Sequence, residues 1–201
     1  MSHSTCCRWL PAIALIATPV GAQPVIAWSP DRPLTWNDFH GSVRSGADEQ
    51  QAAETMSSIS WTYRYELQWS PSDCSFTVAD VESIAEFHPD GSWVRPGHET
   101  DAILHHEQLH FDISQLYRQR FAARVAPLVG ESHSCQGRNA RSAARYAENE
   151  IRDLIGSIYE DIWQSHLNDQ ATYDRETRHG IDTTAQATWA QKIDDALRET
   201  P

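Results

Sequence analysis

Residues 100–129 read TDAILHHEQLHFDISQLYRQRFAARVAPLV. Ile103, His106, His110, Ile113, Tyr117 and Phe121 recur at spacings of three and four, which places them on one stripe of a helix. Thr100 or Asp101 supplies an N-cap and Pro127 a stop. The stretch contains His-Glu-x-x-His at His106, Glu107 and His110, so two imidazoles one turn apart share a face that is otherwise apolar. His105 has Leu109 four residues on and cannot form a second such pair; solvent exposure is expected for it.

On the N-terminal side of this helix the period is different. Residues 25–98 are rich in turns and in residues that favour strands. Within residues 54–70, Ile59, Trp61, Tyr63, Tyr65 and Leu67 alternate with Ser60, Thr62, Arg64 and Glu66, the pattern of a half-buried strand. Residues 74–89 add one or two more strands. Residues 89–94 form a turn and a short extended piece, and residues 32–43 a loop with short strands. Short turns between consecutive strands imply an antiparallel meander. Residues 99–201 are helical. A second long helix over 139–169 carries its apolar stripe through Ala147, Ile151, Leu154, Ile155, Ile158 and Ile162. Residues 173–182, YDRETRHGID, read as irregular, and a last helix opens at a Thr183-x-x-Gln186 capping box and buries Trp189, Ile193 and Leu197. Strands first and helices afterwards give an α+β class with a small, mainly antiparallel sheet.

The His-Glu-x-x-His spacing has a chemical rationale. His106 and His110 can offer two ring nitrogens to one metal ion, and zinc takes neutral imidazole readily. Glu107 points about a quarter-turn away, within reach of a water at the ion's open position, and can act as general base. Random placement of this composition yields only about 0.03 such matches. Core histidines bonded to carbonyls are the competing explanation. Burying two unpaired imidazoles costs a few kcal/mol each, so either reading requires partners.

The ends and the cysteines bear on location. Arg8, the apolar run Leu10–Val20 and the small residues Val20-Gly21-Ala22 make residues 1–22 a secretory signal peptide cut before Gln23. The run is too short to span a bilayer. Residues 23–201 then form one domain, periplasmic or extracellular. Loss of Arg8 and of no acid moves the net charge from −12 to −13. That balance argues against nucleic acid and anionic membranes as partners. Cys74 and Cys135 remain, and an even pair in an exported chain most simply makes one disulfide. A thiolate zinc ligand is the rival, but neither cysteine has a second Cys or His at zinc-finger spacing.

Three blocks resemble a bacterial family of predicted secreted zinc-dependent proteases, catalogued as a domain of unknown function. They are HEQLHFDI after Ser92-Trp93-Val94, LTWNDFHG with AAET downstream, and YDRETRHG followed by Gln186 and Trp189. The resemblance implies a zincin-like metallopeptidase acting on a peptide or protein with bound Zn2+. It also makes Ser92-Trp93-Val94 a candidate edge for pairing with substrate, with core packing of Trp93 as the alternative. The remaining tryptophans (28, 36, 61, 69, 163, 189) read as core. A catalytic zinc site needs a third protein ligand. His179 is the first candidate, with Asp174 or Glu176 behind it and Glu148 next; His166 is expected at a wet helix end. Tyr173 is a candidate oxyanion donor or an ordinary half-buried tyrosine, and Asp112 either orients a ligating histidine or is a surface acid. Two other functions remain open: a zincin-like binding protein without turnover, and a metal-dependent amidase acting on cell-wall peptides.

Overall fold

The computed structural model describes residues 24–49 and 51–199; the signal peptide expected over residues 1–22 lies outside them. The chain is α+β, with a small antiparallel sheet followed by three helices. In chain order these are β1 (Ile26–Ala27), β2 (Ala53–Glu54), β3 (Ser57–Trp69), β4 (Cys74–Phe87), β5 (Trp93–Val94), α1 (Asp101–Val125), β6 (Ser132–Ser134), α2 (Ala140–Thr177) and α3 (Thr183–Glu199). The expected strands over 32–43 are absent. Asp38 there accepts from the Thr35 amide and from Arg32, which closes a 3-10 turn at Trp36–Asp38 instead.

The two long strands form a hairpin from Ser57↔Phe87 to Trp69↔Cys74. The alternation in β3 holds. Ile59 is buried, and Trp61, Tyr63, Tyr65, Leu67 and Trp69 pack on the main core. β4 does not alternate simply, because the register shifts between Arg64 and Tyr65 and leaves Ala79 unpaired. A bulge moves the side-chain parity by one residue. Phe76 and Val78 therefore face inward before it, and Ala85 and Phe87 after it, while Ile84 faces out. β1 and β6 pair with opposite ends of the other edge of β4, so the outer edge of β3 carries no strand among the described residues. β2 and β5 make a separate two-stranded ladder.

α1 is the central element, in contact with β3, β4, α2 and α3. Thr100 caps it by accepting from the Ile103 amide. The expected stripe is buried from His106 onward, but so are Leu109, Phe111 and Leu116 on other faces, because protein surrounds the helix. The main core lies between α1, α2, α3 and the hairpin; a second cluster of Leu34, Phe39, Ala85, Phe87 and Phe111 seats the N-terminal segment.

Two boundaries differ from the sequence reading. α2 runs on to Thr177, through YDRE, since nothing between 169 and 177 breaks a helix. It ends where Arg178, His179 and Gly180 all take positive φ, with glycine adding a residue free of the Cβ penalty. α3 is capped by Asp182, whose Oδ1 accepts from the Thr184 and Ala185 amides, rather than by a Thr183 box. Gln186 is thereby released to point inward.

A disulfide joins Cys74 to Cys135 and spans 61 residues of chain that include α1. No helix among the described residues is long and apolar enough to cross a membrane. Removing the cross-link by Cys74→Ser with Cys135→Ser is expected to lower stability by about 4 kcal/mol through the regained chain entropy. A drop in the urea-unfolding free energy, with the slope of each variant fitted separately, checks this, and an unchanged free energy would contradict it.

Candidate metal centre

α1 and α2 run antiparallel with a polar seam between them. On α1, His106, His110 and Ser114 follow at intervals of four; on α2, Asp174, Gln170 and His166 do the same in reverse. Asp174 meets both histidines, Gln170 meets His110, and His166 meets Ser114 at 2.9 Å. The seam continues to Tyr117, which donates to Asp169 at 2.6 Å.

At one end of this seam three donor atoms converge. Asp174 Oδ1 lies 3.2 Å from His106 Nε2 and 3.0 Å from His110 Nε2, and the two Nε2 atoms are 3.2 Å apart. Zinc bonds of about 2.0–2.1 Å in tetrahedral geometry require donors roughly 3.3 Å apart. The triangle therefore has nearly the right edge to be capped by one ion, and the buried group His106–His110–Asp174 could hold a metal. His179 Nδ1 reaches the same Asp174 oxygen at 3.2 Å, and its amide donates to the Asp174 carbonyl at 3.0 Å. It thus touches the third donor, whereas Asp174 itself sits against both histidines. The extension of α2 accounts for this: it puts Asp174 on a rigid helix, one turn from Gln170, rather than on a loop.

Each imidazole is fixed from behind. Gln170 Oε1 accepts a hydrogen bond from His110 Nδ1, and Gln170 Nε2 donates to the His110 carbonyl at 2.9 Å, which leaves His110 Nε2 facing Asp174. Tyr173 is fully buried. Its ring stacks on His106 at 4.6 Å and meets His110 edge-on at 4.8 Å, and its hydroxyl donates to the His106 carbonyl at 3.3 Å. With that hydroxyl already used on the backbone, Tyr173 forms a wall of the site rather than an oxyanion donor. Gly180 passes so close that a Cβ there would lie 3.1 Å from the His106 Cβ and 3.3 Å from Gln186 Oε1. His106 Nδ1 and Gln186 Oε1 are both buried without a partner among the described residues, and both lie beside this glycine.

The electrostatics follow from burial and proximity. Burial pushes the His106 imidazole down to about 4, against the pull of Asp174. Burial also opposes charge on His110, yet Asp174 and Glu107 together hold it up to about 9. The Asp174 carboxyl, despite its own desolvation, is kept well below the usual range by bonds to the two histidines. Glu107 is 2 % exposed, and desolvation raises it to about 7. Its Oε2 has no partner among the described residues. Glu107, His110 and Asp174 all open on one cleft of about 360 Å³ between the 53–57 segment and α2.

The other candidates go elsewhere. Glu148 accepts from the Tyr65 hydroxyl, and Glu176 from the Trp189 indole. Asp112 accepts from Trp28 and Gln108 and braces the N-terminal segment, not a histidine. His166 is buried in the seam instead of at a wet helix end, with burial pushing its imidazole down to about 4. His105 is exposed, as expected. Trp93 is fully buried, with its indole on Glu54 and its strand already paired to β2. The edge that lines the cleft is β2 itself. The Arg95 amide donates to the Ala52 carbonyl and the Met56 amide to Ser92 Oγ, so residues 52, 54 and 56 turn toward β5. Alternation then turns the backbone groups of Ala53 and Thr55 toward the cleft. No protein-family model, curated protein or solved structure matches the chain.

Two outcomes are expected. With His110 held up to about 9 and His106 pushed down to about 4, metal binding at pH 7 is expected to expel about one proton from His110, with a further fraction from Glu107, which lies at about 7. Release should fade above pH 9, and apparent affinity should weaken about tenfold per unit as pH falls below that value. Calorimetry in buffers of different ionisation enthalpy measures this, and no proton release at pH 7 would be inconsistent with it. Gly180→Ala should displace His106 and weaken metal binding about 10–100-fold, the range seen when support behind a ligand is lost. Undiminished affinity would show that the close approach is immaterial.

Proposed function

We propose that this chain is a metal-dependent peptidase of the zincin type, exported through its N-terminal segment and loaded with zinc. The observation that carries the reading is Glu107. It is a carboxyl buried on the floor of a cleft, next in sequence to one imidazole of the donor group, and held by desolvation at about 7. A structural ion pair has no use for such a group, whereas a general base is most effective when its pKa lies near the working pH.

His106, His110 and Asp174 are the residues that would hold the ion, a two-imidazole, one-carboxylate set that suits zinc and leaves a fourth position open. Bound there, zinc supplies Lewis acidity, which polarises a carbonyl and acidifies water. The protein's own part is as follows. Ala53 and Thr55 offer backbone donors and acceptors along the cleft, and an extended peptide can add to them as a strand. Glu107 takes the proton of the attacking water on its carboxylate and returns it to the amide nitrogen as the C–N bond breaks. Gln170 and Tyr173 keep the two imidazoles from turning during the exchange. His179 steadies the Asp174 oxygen. The resemblance of HEQLHFDI and YDRETRHG to predicted secreted zinc proteases agrees with this assignment, as does a disulfide suited to an oxidising compartment.

Glu107→Gln tests the reading. Hydrolysis of a peptide library by the zinc-loaded protein should fall by about 10²–10⁴-fold, the usual contribution of a general base, with metal stoichiometry unchanged. Full activity in the variant would remove Glu107 from the chemistry. A wild-type protein that binds zinc stoichiometrically and cleaves no peptide would instead be a binding protein. Cleavage confined to cell-wall fragments would make it an amidase.

A further inference from the structure

The cleft has a second end. Trp163 and Leu167 stand four residues apart on one face of α2, and Met56, its side chain lying against Gly91, lines the same cleft from the 53–57 segment. None of the three belongs to either core cluster. Leu167 is 43 % exposed and Met56 52 %, so about half of their apolar surface is left to solvent. They are nevertheless held in place. Trp163 stacks on His166 at 4.8 Å and on Tyr159 at 6.0 Å. The backbone of Met56 is fixed on both sides, its amide by Ser92 Oγ at 2.9 Å and its carbonyl by the His88 amide at 2.9 Å. Solvent-facing apolar side chains on rigid supports, lining the same cleft as a buried acid and a donor cluster, are the features of a side-chain subsite.

Its position relative to the reacting end can be read from helix geometry. Leu167 precedes Asp174 by seven residues, or about 10 Å along the axis. An extended chain advances about 3.4 Å per residue, so this distance corresponds to about three residues of substrate. The direction follows from the seam. Thr55 donates to the Glu107 carbonyl, while Ser57 meets Ser114, which meets His166. The 53–57 segment therefore runs from the donor cluster toward the apolar end. A peptide added antiparallel to it runs the other way and reaches the apolar end before the scissile bond.

We infer that the cleft takes extended polypeptide segments with a bulky aliphatic or aromatic side chain about three residues N-terminal to the bond that is cut, seated against Trp163, Leu167 and Met56. This rests on the peptidase reading and adds the substrate class to it.

The test is a set of extended peptides varied at the second, third and fourth residues before the scissile bond. They are assayed with the zinc-loaded wild type and with Leu167→Glu. The wild type should prefer Leu, Phe or Met over Ser or Asp by at least about tenfold in kcat/KM at one of these positions, and little elsewhere. Leu167→Glu should lose that preference and gain for Lys at the same position, with zinc affinity and thermal unfolding unchanged. The gain for Lys is a readout that simple loss of structure cannot produce; Met56→Glu, in the 53–57 segment that lines the same cleft, should shift the preference the same way. Cleavage with no preference at these positions, or a preference unaltered in both variants, overturns the inference and leaves the peptidase reading intact. No cleavage of any peptide by the zinc-loaded wild type overturns both.

Discussion

The rest of the site depends on where one carboxylate oxygen lies. Asp174 Oδ1 touches His106, His110 and His179 at once, and it joins the C-terminal turn of α2 to the N-terminal half of α1. Taking a carboxylate and an imidazolium out of water costs several kcal/mol each, and only close, well-bonded partners offset that. An apolar seam at this place would be cheaper for the fold. Retention of a charged group between the two longest helices points to a use other than stability, and a divalent ion could take the place of the proton that His110 holds against Asp174.

The surrounding architecture keeps that oxygen in place. α1 packs against β3, β4, α2 and α3, and His106 and His110 are buried on it between the partners described above. The bulge at Ala79 lets one strand present Phe76, Val78, Ala85 and Phe87 to the same interior although their parity differs. That gives α1 a continuous apolar bed against β4. Asp112, one helical face away from the histidines, ties α1 to Trp28. The three left-handed residues that end α2 bring Gly180 against His106 and aim α3 so that Gln186 returns to the start of α1.

Much of this was legible in the residues. The period-two pattern of β3, the helix from Thr100 to Pro127 and the Cys74–Cys135 pair need only local rules and counting. The inward pair His106/His110 needed only the spacing of four. What escaped depends on tertiary context. YDRETRHG looks irregular because Tyr, Asp, Thr and His are weaker helix formers and Gly180 follows them, but packing of Tyr173 and Thr177 carries α2 through it. A second helix that stops at 169 leaves Asp174 and His179 together on one loop, where the residues alone do not place Asp174 against the two histidines. Gln170 and His166 could have been found as the i−4 and i−8 neighbours of Asp174, but only once the helix was known to extend that far. β2 could not be anticipated as the cleft edge, since two residues of strand leave no periodic signal, and the tryptophan of the adjacent strand drew attention instead.

The proposed chemistry requires an ion where His106, His110 and Asp174 meet. X-ray absorption at the zinc edge, or anomalous diffraction from zinc-loaded crystals, measures this directly. The expected result is one zinc per chain with two imidazole nitrogens and one carboxylate oxygen at about 2.0–2.2 Å, the oxygen lost in Asp174→Ala. A zinc shell that contains no histidine, or one unaffected by replacement of both His106 and His110, would contradict it.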